Sequence, residues 1–573
     1  MRITSQKGFS GVDERVSLQN SPRYASAMRN FRITESGSLQ KRPDAVYCCD
    51  LPDETIRGVW RGSLNGTDTL LLVGGTSLYR ADPNLETISP VYVGYVGMGE
   101  CNIFEFNGFV YIKTVTNYVK YNGTVFSNVD GYVPIVAIGC SPEGEGELYE
   151  PINLICNKRR IRYSADGVSK IYKIIEDGVI GIKHFMLNGE AYDADYTFDA
   201  EEKTVTFSEP PPAGLNNLEI CYIMADSVSQ KWRFLGCRNL MLFGGNSDGR
   251  IFLWGHNGLP NYRFHSELAE GVPSAEYFPV NNYTVIGNSE ITCIVQQYDR
   301  QLIFTKDKAY YSYCELREDM LGNLYSSFPV FSLNGSKGCL FRTNGCVIDN
   351  RPVTLCVDGI NLWESTDIEN EKNAVCISRE FSGAFRNLIN DDLSKMKLMD
   401  FQANRELYLI NGSIAYVYNY GLGAWYLFNG FADDCCFVYG TKMYFANGSK
   451  LYWFGNEAGS GEDRTDIWES CFITAGADKG AVDAVGCELD AFIQGPVTVC
   501  VELEESGSGR KVSRSFDFPF TENRFRRLSF RPALKRVMPF RIRLTESGKG
   551  SCVFHNISVI TRSKERSSRR GIL

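Results

Sequence analysis

Acid–base and metal chemistry would have to start from few residues. The 573-residue chain has four His, at positions 184, 256, 265 and 555. His256 and His265 lie nine apart in a loop-like stretch, a spacing from which a metal could be held. Histidines hydrogen-bonded within a loop are the commoner outcome, and no metal is expected. The acid pairs Asp391-Asp392 and Asp433-Asp434 could serve glycoside hydrolysis, which needs two carboxyl groups flanking a sugar. In a chain with 68 acids, adjacency alone says little. Trp60, Trp232, Trp254, Trp363, Trp425, Trp453 and Trp468 could stack on sugars, but each sits in or beside an apolar run, where core packing is the expectation. H-E-x-x-H, Walker-loop, G-x-S-x-G and EF-hand patterns are missing. The 19 Cys include no C-x-x-C pair, which removes a zinc ribbon, and are expected as reduced, buried thiols. The chemistry-bearing residues thus point to a chain that is not an enzyme and needs no cofactor.

The elements that must position these residues read as strands. Asn-Gly dipeptides begin at 65, 107, 122, 188, 257, 334, 344, 411, 429 and 447. Asn-Gly best meets the positive φ that both centres of a tight hairpin require. A theme recurs: turn residues, an apolar strand, a second turn, then a strand ending in an aromatic. Leu70-Leu71-Leu72-Val73 leads through Gly74-Gly75 to Leu78-Tyr79, and Leu240-Met241-Leu242-Phe243 through Gly244-Gly245 to Ile251-Phe252-Leu253-Trp254. Small antiparallel sheets repeated at roughly 40–50 residues are the signature of propeller blades. The expected fold class is all-β, with a β-propeller of six to seven blades, a small inserted β-domain and a C-terminal β-sandwich. Its parts are an extended segment over 1–45, propeller over 46–174 and 224–460, the insert at 175–223, a sandwich at 467–562 and a basic tail at 563–573. Gly- and acid-rich residues 457–466 read as a linker. The best helix candidate is 21–30, which could equally be loop.

Charge is uneven. From Arg510 to Leu573 there are 17 Lys/Arg against four Asp/Glu, a net +13 that leaves −21 for the first 509 residues of a −8 chain. Such asymmetry fits either a basic end that meets an acidic partner or nucleic acid, or a solvated face with a frayed tail. No apolar run approaches the ~20 residues of a membrane helix, and no signal peptide is apparent, so the expectation is a cytosol-made chain without membrane insertion.

The most specific text is N-terminal: Phe9-Ser10-Gly11-Val12-Asp13-Glu14-Arg15, Tyr24, Met28-Arg29-Asn30-Phe31, and Gly37-Ser38-Leu39-Gln40-Lys41-Arg42-Pro43. It resembles the opening of β-propeller tail proteins of tailed bacteriophages, the nozzle or hub group also called tail tubular protein B or DNA-stabilisation protein. The stretches Gly244–Trp254, Pro260-Asn261-Tyr262, Tyr277-Phe278-Pro279 and Ala424-Trp425-Tyr426 are similar to blades of that group. The resemblance implies a structural virion protein of the tail, assembled in the host cytoplasm as a homohexameric ring below portal and adaptor. DNA would pass through the ring without sequence-specific binding. Lys41, Arg42, Arg526, Arg527, Arg531 and Arg536 are the residues expected to carry interactions. The competing readings are a carbohydrate-binding or polysaccharide-degrading propeller of a tail tip, and a cytosolic interaction scaffold.

Overall fold

In the computed structural model, the described residues are 2–563 except 20–22, 52–53, 83–89, 246–247, 319–321, 323, 344, 366–372, 455–463, 475–481, 507, 520–522 and 538. Among the described residues strand makes up 57% and helix 5%, so most backbone groups must find partners across strands.

Seven four-stranded antiparallel arrays follow one another; six are sheets of their own, and the sixth in order is the end of an 11-stranded sheet that runs on into the C-terminal part. Sheet 1 is Ile56–Leu64, Thr67–Gly74, Ser77–Ala81 and Val91–Tyr95; sheet 2 is Asn102–Phe106, Phe109–Lys113, Tyr118–Tyr121 and Phe126–Asn128. Sheet 3 is Asn239–Gly245, Asp248–Trp254, Tyr262–His265 and Tyr283–Val285; sheet 4 is Ile291–Gln297, Arg300–Thr305, Ala309–Tyr313 and Val330–Asn334. Sheet 5 is Cys346–Ile348, Arg351–Cys356, Gly359–Trp363 and Ala374–Cys376; sheet 6 is Lys397–Phe401, Glu406–Asn411, Ile414–Asn419 and Ala424–Asn429. Sheet 7 takes Cys435–Tyr439, Lys442–Asn447 and Lys450–Phe454 from late in the chain and its fourth strand, Val46–Asp50, from the beginning.

Each sheet buries apolar side chains against the next. Leu71, Val73, Val110 and Ile112 join sheets 1 and 2; Tyr111, Ile251 and Phe264 join sheets 2 and 3; Trp254, Ile294 and Ile303 join sheets 3 and 4. Sheets 4, 5 and 6 share one large core. Sheet 7 packs back on sheet 1 through Leu70, Leu72, Tyr444 and Leu451.

Between sheets 2 and 3 stands a separate unit. A six-stranded sheet, which includes Ile135–Cys140, Lys158–Tyr163, Val179–Leu187 and Leu218–Met224, faces a three-stranded one of Ile171–Lys173, Tyr196–Asp199 and Thr204–Phe207. Tyr163, Tyr172, Phe185, Phe207 and Tyr222 fill the space between them. The expected insert at 175–223 therefore starts too late. Its strand Leu218–Met224 pairs with Lys158–Tyr163, which in turn pairs in parallel with Ile135–Cys140.

The C-terminal part is two packed sheets, and the N-terminus is built into both. In one, Ser551–Ser563 pairs with Val482–Gln494 and accepts Arg2–Lys7 and Leu39–Lys41 as further strands. In the other, Arg464–Ser470 lies between Phe540–Gly548 and Ala25–Arg29. Ala25–Arg29 then touches Ala424–Asn429 of sheet 6. Three expectations are corrected. Residues 1–45 are strands of the sandwich as well as a lead into the sheets. Residues 25–29 are strand and not helix, paired with Arg464–Ser470 through an irregularity between Ala25 and Ala27, with Ala25 and Met28 buried. The strand Arg464–Ser470 takes up the end of the expected linker, whose first part lies outside the described residues. The helices are short: Lys231–Leu235 and Ser382–Asn390. The tail from 564 lies outside the described residues.

Candidate functional site

Two places concentrate polar chemistry. The first is a cavity of about 1110 Å³ lined from the first strands of all seven sheets or the turns entering them, with Arg57, Cys101, Arg238, Thr292, Cys346, Asp400 and Cys435 among its walls. Its charges are largely spent on one another and on backbone. Arg57 donates to the carbonyls of Gly75, Gly97 and Gly99. Arg238 lies 3.8 Å from Glu100, and Arg342 pairs with Glu290. Asp433 accepts the Gly412 amide and Asp434 the Gly448 amide, each at 2.9 Å. Burial lifts the Asp400 carboxyl to about 6, opposed by the Tyr420 hydroxyl that donates to it at 3.2 Å. Phe341, itself buried, is the one aromatic among the described lining residues.

The other sequence candidates are dispersed. Asp391 closes the helix Ser382–Asn390, and Asp392 accepts the Ser394 amide at 2.9 Å. His256 Nδ1 accepts the amides of Gly258 and Leu259, a loop-capping role. His265 packs on Phe252 and Phe328, and burial pushes it down to about 4. Among the described residues no group of three His, Cys, Asp or Glu could hold a metal. All 19 Cys are free thiols, 12 of them buried. Trp254, Trp363, Trp425 and Trp468 are fully buried, whereas Trp232 is 55% exposed. No helix among the described residues is long and apolar enough to cross a membrane.

The second place is the joint built by the N-terminal motif. A Cβ on Gly11 would stand 2.8 Å from the backbone N and O of Trp425, so only glycine lets the two chains touch there. Val12 donates its amide to the Trp425 carbonyl at 3.0 Å. Asn30, at φ 61°, accepts the Asn429 amide at 2.8 Å. Lys41 is wholly buried and donates to the carbonyls of Gly548 and Gly550 at 2.8 and 3.0 Å. Arg42, also buried, donates to the carbonyls of Pro43 and Asn429 at 2.6 and 2.9 Å. The expected interaction pair Lys41-Arg42 thus ties the chain to itself, with both side chains buried.

Around Lys41 lies a cluster the sequence reading missed. Arg464 bridges Asp44 at 2.5 Å and Asp466 at 2.9 Å, and Asp466 and Glu546 are fully buried. The signal was available: in Phe540–Gly548 the inward positions run Phe540, Ile542, Leu544, Glu546, so Glu546 continues an apolar face by period two.

The remaining basic candidates lie on the outside. Arg526, Arg527 and Arg531 are exposed, and the side chain of Arg536 lies outside the described residues. Arg527 pairs with Asp490 at 2.7 Å. Arg541 meets Glu504 at 2.9 Å, and Lys511 meets Glu502 at 3.2 Å. Arg527, Arg541 and Lys511 are thus each balanced by an acid on a neighbouring strand.

No family model matches the chain. No curated protein matches it either. Among solved structures it is similar to PorZ, an essential bacterial surface component of the type-IX secretion system of Porphyromonas gingivalis, at 11% identity and a TM-score of 0.34. That alignment covers 74% of this chain and 43% of PorZ, so the chain spans less than half of PorZ's length. It is also similar to an exo-β-1,3-galactanase from Phanerochaete chrysosporium, at 9% identity and a TM-score of 0.16, covering 80% of this chain and 95% of that one. At such values these likenesses carry no functional argument.

Proposed function

We propose that this chain is a structural protein of a phage tail, a seven-bladed β-propeller with a sandwich, six copies of which form a nozzle or hub ring that retains and conducts DNA. The propeller reading is supported by seven like sheets whose first strands or entry turns line one cavity, by sheet 7 packing on sheet 1, and by the sharing of sheet 7 between distant parts of the chain. The observation that carries the tail reading is the N-terminal motif. The stretch whose wording resembles the nozzle group is the stretch whose Gly11, Asn30, Lys41 and Arg42 join sandwich to sheet 6. A passage for DNA should hold it weakly, since each neutralised phosphate adds affinity. An acidic body and a basic end compensated by its own acids fit that need.

Reversal of Arg526, Arg527, Arg531 and Arg536 to Glu is expected to impair ring formation or docking more than monomer folding, through complementary fields that salt weakens. Electron microscopy and mass of the purified protein check this: rings that the reversed protein no longer forms support it. A monomeric wild type, or virions that lack the protein, would end it. One observation favours the second reading, a carbohydrate-active propeller: Asp400, lifted to about 6 at a cavity, is in the range of a general acid. Glycan release from host polysaccharide, abolished by Asp400→Asn, would replace the tail reading with that one.

A further inference from the structure

Asp466 and Glu546 stand directly opposite each other in adjacent strands, Arg464–Ser470 and Phe540–Gly548. Directly opposed residues have Cβ atoms about 4.5–5.5 Å apart on the same face of a sheet. Both side chains are fully buried between the two sheets of the sandwich. Asp466 Oδ2 and Glu546 Oε2 have no hydrogen-bond partner, a costly arrangement for two carboxylates side by side. Their surroundings are unequal. Asp466 has Arg464 Nε at 2.9 Å and Lys41 Nζ at 3.9 Å. Glu546 accepts only the Cys552 amide, at 3.0 Å. Every element packed here contributes a defined neighbour: Lys41, Arg42 and Asp44 from the N-terminal segment, Arg464 beside Asp466, Cys552 across from Glu546, and apolar Val499 opposite it on the strand Val497–Glu505.

We propose that Asp466 and Glu546 share a single proton, carried by Glu546, and that this proton latches the N-terminal strand Leu39–Lys41 into the sandwich. With the proton in place, Glu546 donates to Asp466, and both orphan oxygens are satisfied. Lys41 then needs to neutralise only one carboxylate while it donates to Gly548 and Gly550. When the proton leaves to solvent, Lys41 and Arg464 face a second charged carboxylate here besides Asp466 and Asp44, and the latch loosens. Burial and the neighbouring Asp466 both hold the Glu546 carboxyl well above the usual carboxylate range, with Lys41 and Arg464 opposing. The sign follows. A folded-state pKa raised above the unfolded value gives stability that is complete below the unfolded pKa and is lost as pH rises through the folded one. The seam is therefore an alkaline-release device. It sits where Arg42 hands the chain to sheet 6 through Asn429.

The test is hydrogen exchange of amides 39–44 in the full-length protein as a function of pH, corrected for intrinsic exchange. In the wild type the opening constant is expected to rise by up to tenfold per pH unit above the pKa of Glu546 in the opened state, and to level off once Glu546 ionises in the closed state. Glu546→Gln, which keeps an amide donor toward Asp466, is expected to hold the opening constant flat. Asp466→Asn removes the competing charge and is expected to move the levelling-off toward acid. A Glu546→Gln profile parallel to the wild type would overturn the proposal, as would an Asp466→Asn profile that levels off at the wild-type pH. Should Glu546→Gln fail to fold, the Asp466→Asn shift decides alone.

Discussion

The seven sheets and the sandwich solve the same problem, burial of apolar strand faces, with opposite connectivity. Sheets 1 to 6 are built from consecutive hairpins, and their neighbours in space are largely their neighbours in sequence. Register there is set by short turns: Asn65-Gly66 closes Leu64 against Thr67, and Asn107-Gly108 closes Phe106 against Phe109. The sandwich is assembled from the two ends of the chain. Arg2–Lys7 lies along Ser551–Ser563, and Lys41 reaches Gly548. Its seam carries a buried cluster of opposed charges, whereas buried cations among the sheets, such as Lys113 and Arg263, are held by carbonyls and a side-chain amide. Local hairpins form early and cheaply, while the sandwich must close a loop of hundreds of residues before its contacts form. The difference teaches where the molecule should fail first.

Deletion of residues 1–44 is the severest way to break the comparison. It removes two strand partners of Ser551–Ser563 and leaves Asp466 and Glu546 without Lys41. Loss of one partner from a buried charged group costs about 3–5 kcal/mol by itself. The sandwich is expected not to fold, while sheets 1 to 4 persist and Val46–Asp50 still completes sheet 7. Limited proteolysis checks this. A resistant fragment that ends before about residue 464 is the expected product, and complete digestion would mean that the two regions fold as one unit.

The same contrast explains what was legible in the sequence. The fold class was, because hairpin turns are local. Asn-Gly at 65, 107 and 188 occupies two-residue turns with both φ positive. At 411 and 447 the turn is shifted by one, so that Asn ends the strand and Gly412 or Gly448 opens the turn. At 122 and 334 the Asn side chain caps a looser loop through amides two and three residues on. The sandwich boundary was less legible because strand pairing across 500 residues leaves no local mark. The insert began before the expected boundary for the same reason, since Ile135–Cys140 pairs in parallel with a strand reached only through a long loop. For the candidate site, the motif Gly37–Pro43 was found, but what its Lys41 and Arg42 meet was not legible. Lys and Arg are normally exposed, and only the carbonyls of Gly548, Gly550 and Asn429, far off in sequence, reveal why these two are buried.

A middle-sized effect sharpens the account of the sheets. Leu72 and Leu451 are fully buried in the cluster between sheets 1 and 7. Leu72→Ala is expected to cost about 2–5 kcal/mol in denaturant unfolding, by lost burial and the cavity left. Because the two leucines belong to one core, Leu72→Ala and Leu451→Ala should combine with a coupling of about 0.5–3 kcal/mol. Additivity within a few tenths of a kcal/mol would mean that sheets 7 and 1 do not share that core, and the proposed propeller would lose a supporting contact.

The smallest effect belongs to the outside of the sandwich. Arg527 is 61% exposed, and its partner Asp490 lies at 2.7 Å on the adjacent strand. The guanidinium holds the Asp490 carboxyl below the usual carboxylate range, with burial opposing and Asn556 assisting. A depressed carboxylate contributes stability that is present above its unfolded pKa and is lost as pH falls through the folded one. That contribution therefore disappears only in acid, and solvent screens most of it at any pH. Arg527→Ala is expected to leave the thermal midpoint of the monomer at neutral pH unchanged within error, and to reduce the loss of stability on acidification slightly. The same substitution separates two roles for the basic face. If ring formation also survives Arg527→Ala while the fourfold reversal abolishes it, the assembling charge lies at Arg526, Arg531 or Arg536. If the single substitution alone destabilises the monomer as much as Leu72→Ala does, Arg527 belongs to the core of the sandwich, and the contrast between a charged outer face and the buried Lys41 seam no longer holds.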